Sequence, residues 1–187
     1  MKFTLYRSNC LEVPENCTYP HKVEVTGKDS LIEAVNHDYV CAEYQGNYRS
    51  NDNFIGSDCL PVDCDNDHSD DPEEWVYPSD VATAFPSVAF AVHYSRNHMK
   101  QKGDKAPRPK FHAFFTIDRV TDPSQYSEMK KLVNCSSQRA VRADQSCGKK
   151  NGRDRCFADP YHQLFQNPRG LCGLPQGRVF QKFFGGA

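Results

Sequence analysis

With 187 residues and 23 basic against 24 acidic side chains (formal net charge −1), the chain fits one domain and advertises no global field for nucleic acid. No apolar run reaches the ~18 residues a membrane helix needs, and the opening MKFTLYRSNC lacks the apolar centre of a signal peptide. Nine cysteines, an odd number at irregular spacing, point to free thiols in a reducing compartment, so a cytoplasmic protein is expected.

Residues 2–6 (KFTLY) and 22–26 (KVEVT) alternate as strands, with a Pro-containing loop from Glu12 to Pro20 between them. Lys28-Asp29-Ser30 opens a short helical pattern through Leu31, Ile32, Ala34 and Val35, which ends near Asn36-His37-Asp38. Tyr39 to Tyr44 reads as the next strand, and the polar loop 45–53 after it carries Arg49. An apolar run, Cys59, Leu60 and Val62, then leads into Asp63 and Asp65. Beyond the acidic stretch to Glu74, Ser79 is the expected N-cap, after Pro78, of a helix that reaches Phe85. Val88 to Tyr94 is β-prone enough for a central strand. It passes through Arg96 into a basic loop with Lys100, Lys102, Lys105, Arg108 and Lys110. Phe111 to Ile117 is another strand, and Asp122-Pro123 caps and starts a helix to about Val133.

From residue 134 onward periodic apolar patterning nearly vanishes, while Arg, Gly and Cys accumulate. The tail reads equally as a poorly packed terminal lobe, as the start of a second module, or as a disturbed reading frame. So little apolar surface cannot offset the entropy of ordering the backbone, and irregular, mobile chain is expected after about Asp159.

The chemistry concentrates around LPVDCDNDHSDDPEE. On a strand, side chains two apart share a face, so Asp63 and Asp65 point the same way and Cys64 the other. Adjacent carboxylates repel and are best tolerated around a cation, and an all-oxygen donor set suits Mg²⁺ or Mn²⁺. A solvated acidic loop is the plainer reading. A calcium loop is a third, with Asp63, Asp65, Asp67, Ser69, Asp71 and Glu74 at the ligand positions, but His68 stands where that loop needs Gly. By the same period of two, Lys110, His112 and Phe114 share a face of the later strand. If the two strands are neighbours, metal-holding carboxylates face cationic, hydrogen-bonding groups, the general layout of a nucleoside triphosphate site. Cys135, Cys147, Cys156 and Cys172 with His162 form no C-x-x-C, so free thiols are expected in preference to zinc. A metal-dependent nuclease or phosphoesterase would use the same Asp pair with a water nucleophile. A non-catalytic module would display Phe111, Phe114 and Phe115 for base stacking.

The succession of strand-Asp63-x-Asp65, strand-Lys110-x-His112 and a later acid resembles the archaeo-eukaryotic primase superfamily. About residues 40–134, NYRSNDNFIGSDCLPVDCDNDHSDDPEEW followed by AFAVHYSRNHMKQKG and RPKFHAFFTI, are similar to the primase-polymerase domains of replication proteins from phages, plasmids and integrated bacterial elements. The resemblance implies an α/β (α+β) fold, a two-layer core with an RRM-like antiparallel or mixed sheet. Residues 1–134 would be the catalytic core and 135–187 its C-terminal extension. It further implies a nucleotidyltransferase that makes or extends primers on a single-stranded DNA template. The substrates would be nucleoside triphosphates and the cofactors two Mg²⁺ or Mn²⁺ ions, with a helicase domain or other replication proteins as partners. Asp63 and Asp65 would bind the metals together with a third acid, Asp144, for which Asp154 and Asp159 are substitutes. His112 would contact the triphosphate, with Arg108, Lys110, Arg96 and Arg49 as further nucleotide-binding groups. Two positions depart from the family pattern. Lys110 stands where a small residue is usual, and the flanks of Asp144 are more polar than the motif's.

Overall fold

The structure, a computed structural model, describes residues 1–101 and 103–133. Asp144, Asp154, Asp159, the late cysteines with His162, and the expected mobile tail all lie outside the described residues.

The first strand, β1 (Phe3–Arg7), pairs antiparallel with β2 (His21–Val25), Phe3 opposite Val25 and Leu5 opposite Val23. Gly27 precedes α1 (Lys28–Val35), where Ser30 Oγ accepts from the Gly27 N–H at 3.1 Å and so closes the first turn. The segment read as one strand, Tyr39 to Tyr44, is instead two short ones in different sheets. β3 (Tyr39–Val40) pairs with β1, whereas β4 (Glu43–Tyr44) pairs with β5 (Phe54–Cys64). At the crossing between them Ser57 Oγ donates to Cys41 O, giving that carbonyl a partner outside either ladder.

β5 is longer than its apolar run suggests, because Phe54–Asp58 continues it toward the β4 edge. It is followed by α2 (Pro78–Ala84), β6 (Phe90–Tyr94), β7 (Phe111–Val120) and α3 (123–133). The helix α2 begins one residue before the expected cap. Pro78 takes the first helical position, which has no use for an N–H, and Asp80 Oδ2 accepts from the Tyr77 N–H at 2.7 Å. Asp122 Oδ1 caps α3, accepting from Ser124 and Gln125 N–H groups at 2.7 and 3.1 Å.

The class is α+β, with a three-stranded sheet ordered β2-β1-β3 and a four-stranded sheet ordered β4-β5-β7-β6. Every strand pairing among the described residues is antiparallel. Along β7 the alternation divides two cores. Phe111, Ala113, Phe115 and Ile117 join Leu60, Val62 and Val92 beneath Val81 and Phe85 of α2 and its end and Tyr126 and Val133 of α3. On the opposite face Phe114, Cys59 and Ala91 are closed over by Phe3, Leu5, Val23 and Val25 of the small sheet and by Leu31 and Ala34 of α1. Phe3, Phe111, Phe114 and Phe115 are fully buried, and each contributes about 1.5–3 kcal/mol by leaving water.

Near the far end of β5, a Cβ at Gly56 would meet Val120 O at 2.9 Å and the Arg119 side chain at 3.2 Å. Gly56→Ala is therefore expected to lower stability by about 1–3 kcal/mol through overpacking between β5 and β7. Urea unfolding reads this directly. An unchanged midpoint would mean that the two strands do not approach so closely.

Candidate active site

Where the small sheet stops covering the four-stranded sheet, its exposed face turns from apolar to polar in steps set by register. In the row Pro61–Phe114–Ala91, Phe114 and Ala91 belong to the core and Pro61 is half-buried at its edge. One step on, and on the same face, stand Asp63, His112 and His93, directly opposite one another across β5, β7 and β6. The next row continues past the strand ends with Asp65, Lys110 and Ser95, whose N–H donates to Lys110 O at 2.9 Å. Cys64, between the two acids, faces the opposite core, where burial pushes its thiol up to about 12. The shared face expected for Asp63 and Asp65 is thus present, as is the adjacency of their strand to the one with Lys110 and His112.

Each acid has a cationic or hydrogen-bonding partner. His112 Nε2 lies 3.4 Å from Asp63 Oδ1, and Lys110 Nζ lies 3.3 Å from Asp65 Oδ1 and 3.2 Å from Asp67 Oδ1. The Lys110 side chain is nearly buried, whereas those of Asp63 and Asp65 are 60% and 51% exposed. The ammonium therefore sits beneath the carboxylates and leaves their outer oxygens toward solvent. Its hydrogen bond, with further help from Lys105, holds the Asp67 carboxyl below the usual range.

Beside the row of Asp63, His112 and His93 lies Tyr39, whose ring packs edge-on against His112, His93 and Phe114 with centroids 6.0, 6.1 and 5.9 Å away. Its hydroxyl is hydrogen-bonded to His112 Nδ1 and lies 3.5 Å from His93 Nδ1. Burial raises the Tyr39 hydroxyl well above the ordinary tyrosine value. Burial also lowers His93 to about 4, reinforced by His112 and Arg96, so His93 is neutral at pH 7. Arg96 donates to Asp38 Oδ1 at 2.8 Å, and its other nitrogen lies 3.6 Å from Glu12 Oε1. Asp38 also accepts from the Glu12 and Val13 N–H groups at 3.0 Å each, which ties the loop after β1 to the rim of the site.

Two of the expected nucleotide-binding arginines stand elsewhere. Arg108 is 1% exposed. Its guanidinium donates to Asn66 O at 2.9 Å, Ser69 O at 3.1 Å, Ala106 O at 3.2 Å and Asp70 Oδ1 at 2.5 Å, and it lies over the Trp75 ring. With its fork directed at backbone carbonyls, it holds the loop behind Asp65 and presents no face to a phosphate. The Arg49 charge lies near Tyr44, and its N–H donates to Cys17 O at 2.7 Å. That position is beside the start of β5, while Asp63 is near its end.

Sequence reasoning passed over His93, Tyr39 and Asn66. His93 carried a signal, as the one polar side chain inside an apolar alternating strand, on the face of Ala91. Tyr39 carried none, because its contact with His112 spans 73 residues of chain. Asn66 adopts a left-handed φ of 54°, which Asn tolerates better than most residues. Its buried amide bonds Val76 O, Pro109 O and the Val76 N–H at 3.0, 2.8 and 2.7 Å.

The donor set suits a hard divalent ion: two carboxylates on one face with exposed oxygens and a histidine alongside. Among the described residues no three or more His, Cys, Asp or Glu converge on a metal position, so Asp63 and Asp65 stand as a pair. The calcium-loop spacing gains no support from this loop, since Asp67 pairs with Lys110 and Lys105 and Asp71 accepts from the Glu73 N–H. No helix among the described residues is long and apolar enough to cross a membrane. Comparison of the chain with protein-family models, with curated proteins and with solved structures found no match.

Proposed function

We propose that the chain is a template-directed nucleotidyltransferase of the primase-polymerase kind, making or extending primers on single-stranded DNA. One observation carries this reading: of two solvent-facing carboxylates, Asp63 sits directly across an antiparallel pair from His112, and Asp65, just past the strand end, pairs with Lys110 at 3.3 Å. Asp63 and Asp65 would hold Mg²⁺ or Mn²⁺, with Asp144 as the further acid. When bound, such ions lower the pKa of an attacking hydroxyl and neutralise phosphate charge.

The remaining work falls to the chain's own groups. The 3.4 Å separation from Asp63 is long for a hydrogen bond, which leaves the Nε2 edge of His112 free to donate to a triphosphate oxygen. Lys110 fixes the spacing of Asp65 and Asp67 from below and keeps positive charge under the phosphates. Arg96, 45% exposed on the same rim, adds a guanidinium within reach of a polyphosphate. Nucleoside triphosphates and a single-stranded template are the partners this chemistry needs, and a helicase domain or other replication proteins would be its associates.

The test is incorporation of labelled nucleotides on a single-stranded template with Mn²⁺ or Mg²⁺. Template-dependent extension is expected. Strand cleavage that needs no added nucleotide, with no incorporation, would replace this reading by a metal-dependent nuclease on the same Asp pair. His112→Ala is expected to weaken nucleotide binding by about 1–3 kcal/mol, the loss of one hydrogen bond to a charged group, with single-stranded DNA binding little changed. The opposite pattern, in equilibrium binding of each ligand, would assign His112 to the template.

A further inference from the structure

We infer that Tyr39 is the positioning residue for His112. It does so by donating its hydroxyl proton to Nδ1, which fixes the imidazole as the tautomer whose Nε2–H points toward Asp63 and the open side of the site. The catalytic consequence rests on the nucleotidyltransferase reading, whereas the positioning itself rests on geometry alone.

The hydroxyl lies between two imidazole nitrogens, hydrogen-bonded to His112 Nδ1 and 3.5 Å from His93 Nδ1. A phenol has one proton to give and an oxygen that accepts, and a neutral imidazole has one N–H and one acceptor nitrogen. Asp63 Oδ1, 3.4 Å from His112 Nε2, is an acceptor, so that nitrogen keeps the ring proton and Nδ1 accepts the hydrogen bond from the Tyr39 hydroxyl. The phenol oxygen is left to accept, and His93 Nδ1, 3.5 Å away, is the nitrogen placed to donate to it. The chain of donors therefore has one direction: His93 Nδ1–H to Tyr39 oxygen, Tyr39 hydroxyl to His112 Nδ1, His112 Nε2–H to the carboxylate side. Opposite tautomers on two histidines that face each other across neighbouring strands are the signature of this arrangement. The Tyr39 ring is itself held against Phe114, and β3 holds its backbone, with Tyr39 opposite Arg7 of β1. A residue of the small sheet thus reaches over to orient a group on the large one.

The experiment is a long-range proton–nitrogen correlation of the histidine side chains in ¹⁵N-labelled full chain, at a pH where both rings are neutral, for wild type and Tyr39→Phe. Wild type should show His112 protonated on Nε2 and His93 on Nδ1. In Tyr39→Phe, which keeps the packed ring, His112 should become a mixture of tautomers at unchanged Tm. Its nucleotide Kd should rise several-fold, because only the tautomer with Nε2–H can donate to a triphosphate oxygen and the apparent affinity scales with that fraction. A wild-type His112 protonated on Nδ1 would overturn the proposal, as would an unaltered His112 tautomer in the variant. If the tautomers behave as stated in a protein that incorporates no nucleotide, the positioning stands and the nucleotidyltransferase reading falls.

Discussion

Replacing Asp63 with asparagine is expected to abolish nucleotide incorporation while leaving the fold as stable as wild type. Asn keeps the size and hydrogen-bonding reach of Asp but supplies no charge to a divalent ion. Metal-derived stabilisation of a phosphoryl transition state is worth several kcal/mol. A loss of about 4 kcal/mol corresponds to about a thousandfold in rate. Stability should move by less than about 0.5 kcal/mol, as for ordinary surface substitutions, because the Asp63 side chain is 60% exposed and its neighbour His112 lies at 3.4 Å. Single-turnover incorporation and a thermal melt on the same sample decide the matter. An Asn variant that incorporates at the wild-type rate would place the chemistry elsewhere.

Arg108→Ala should have the opposite profile, damaging the fold first. The substitution empties a buried site against Trp75 and leaves the carbonyls of Asn66, Ser69 and Ala106 without their shared donor. Unsatisfied buried acceptors cost about 1–3 kcal/mol each, and the exposed ones among them recover part of this from water. A net destabilisation of about 3 kcal/mol is expected, which lowers Tm by about 6–12 °C for a chain of this size. The ion pair with Asp70 adds little, since that carboxylate is 85% exposed. This experiment also separates the sequence-based role from the structural one. An arginine that served the triphosphate would, when removed, weaken nucleotide binding at unchanged Tm.

The contrast between these two residues shows which parts of the molecule were legible from sequence. Period-two alternation places Asp63, Asp65, Lys110 and His112 on shared faces without knowledge of the fold, because the pleat alone dictates it. Caps were read where local chemistry suffices, as at Asp122-Pro123, and missed by two residues at α2, where Tyr77 is the cap and Pro78 starts the helix. Arg108 was read for nucleotide binding because its basic surroundings resemble a phosphate loop, and nothing local reveals that the chain folds back to wrap it in carbonyls. Arg49 was singled out as a lone cation in a polar loop, and nothing local shows that this loop lies beside the start of β5 while Asp63 is near its end. The single run Tyr39 to Tyr44 divides between two sheets because pairing partners, β1 and β5, are chosen by tertiary contacts that no short window contains.

The placement of apolar and polar groups on alternate sides of β7 has a consequence for how accurately the site is made. Sliding β7 by one residue against β5 would turn Phe111 and Phe115 out from beneath the helices and bring His112 and Lys110 in. Each displaced ring forfeits about 1.5–3 kcal/mol, and an inward ammonium without a partner costs more. No hydrogen bond within the site is needed to forbid that slip. Alignment of Asp63 with His112 is enforced by oily side chains on the far side of the sheet. Mutations at Phe115 or Phe85 should therefore loosen the alignment of Asp63 with His112 before they unfold the chain.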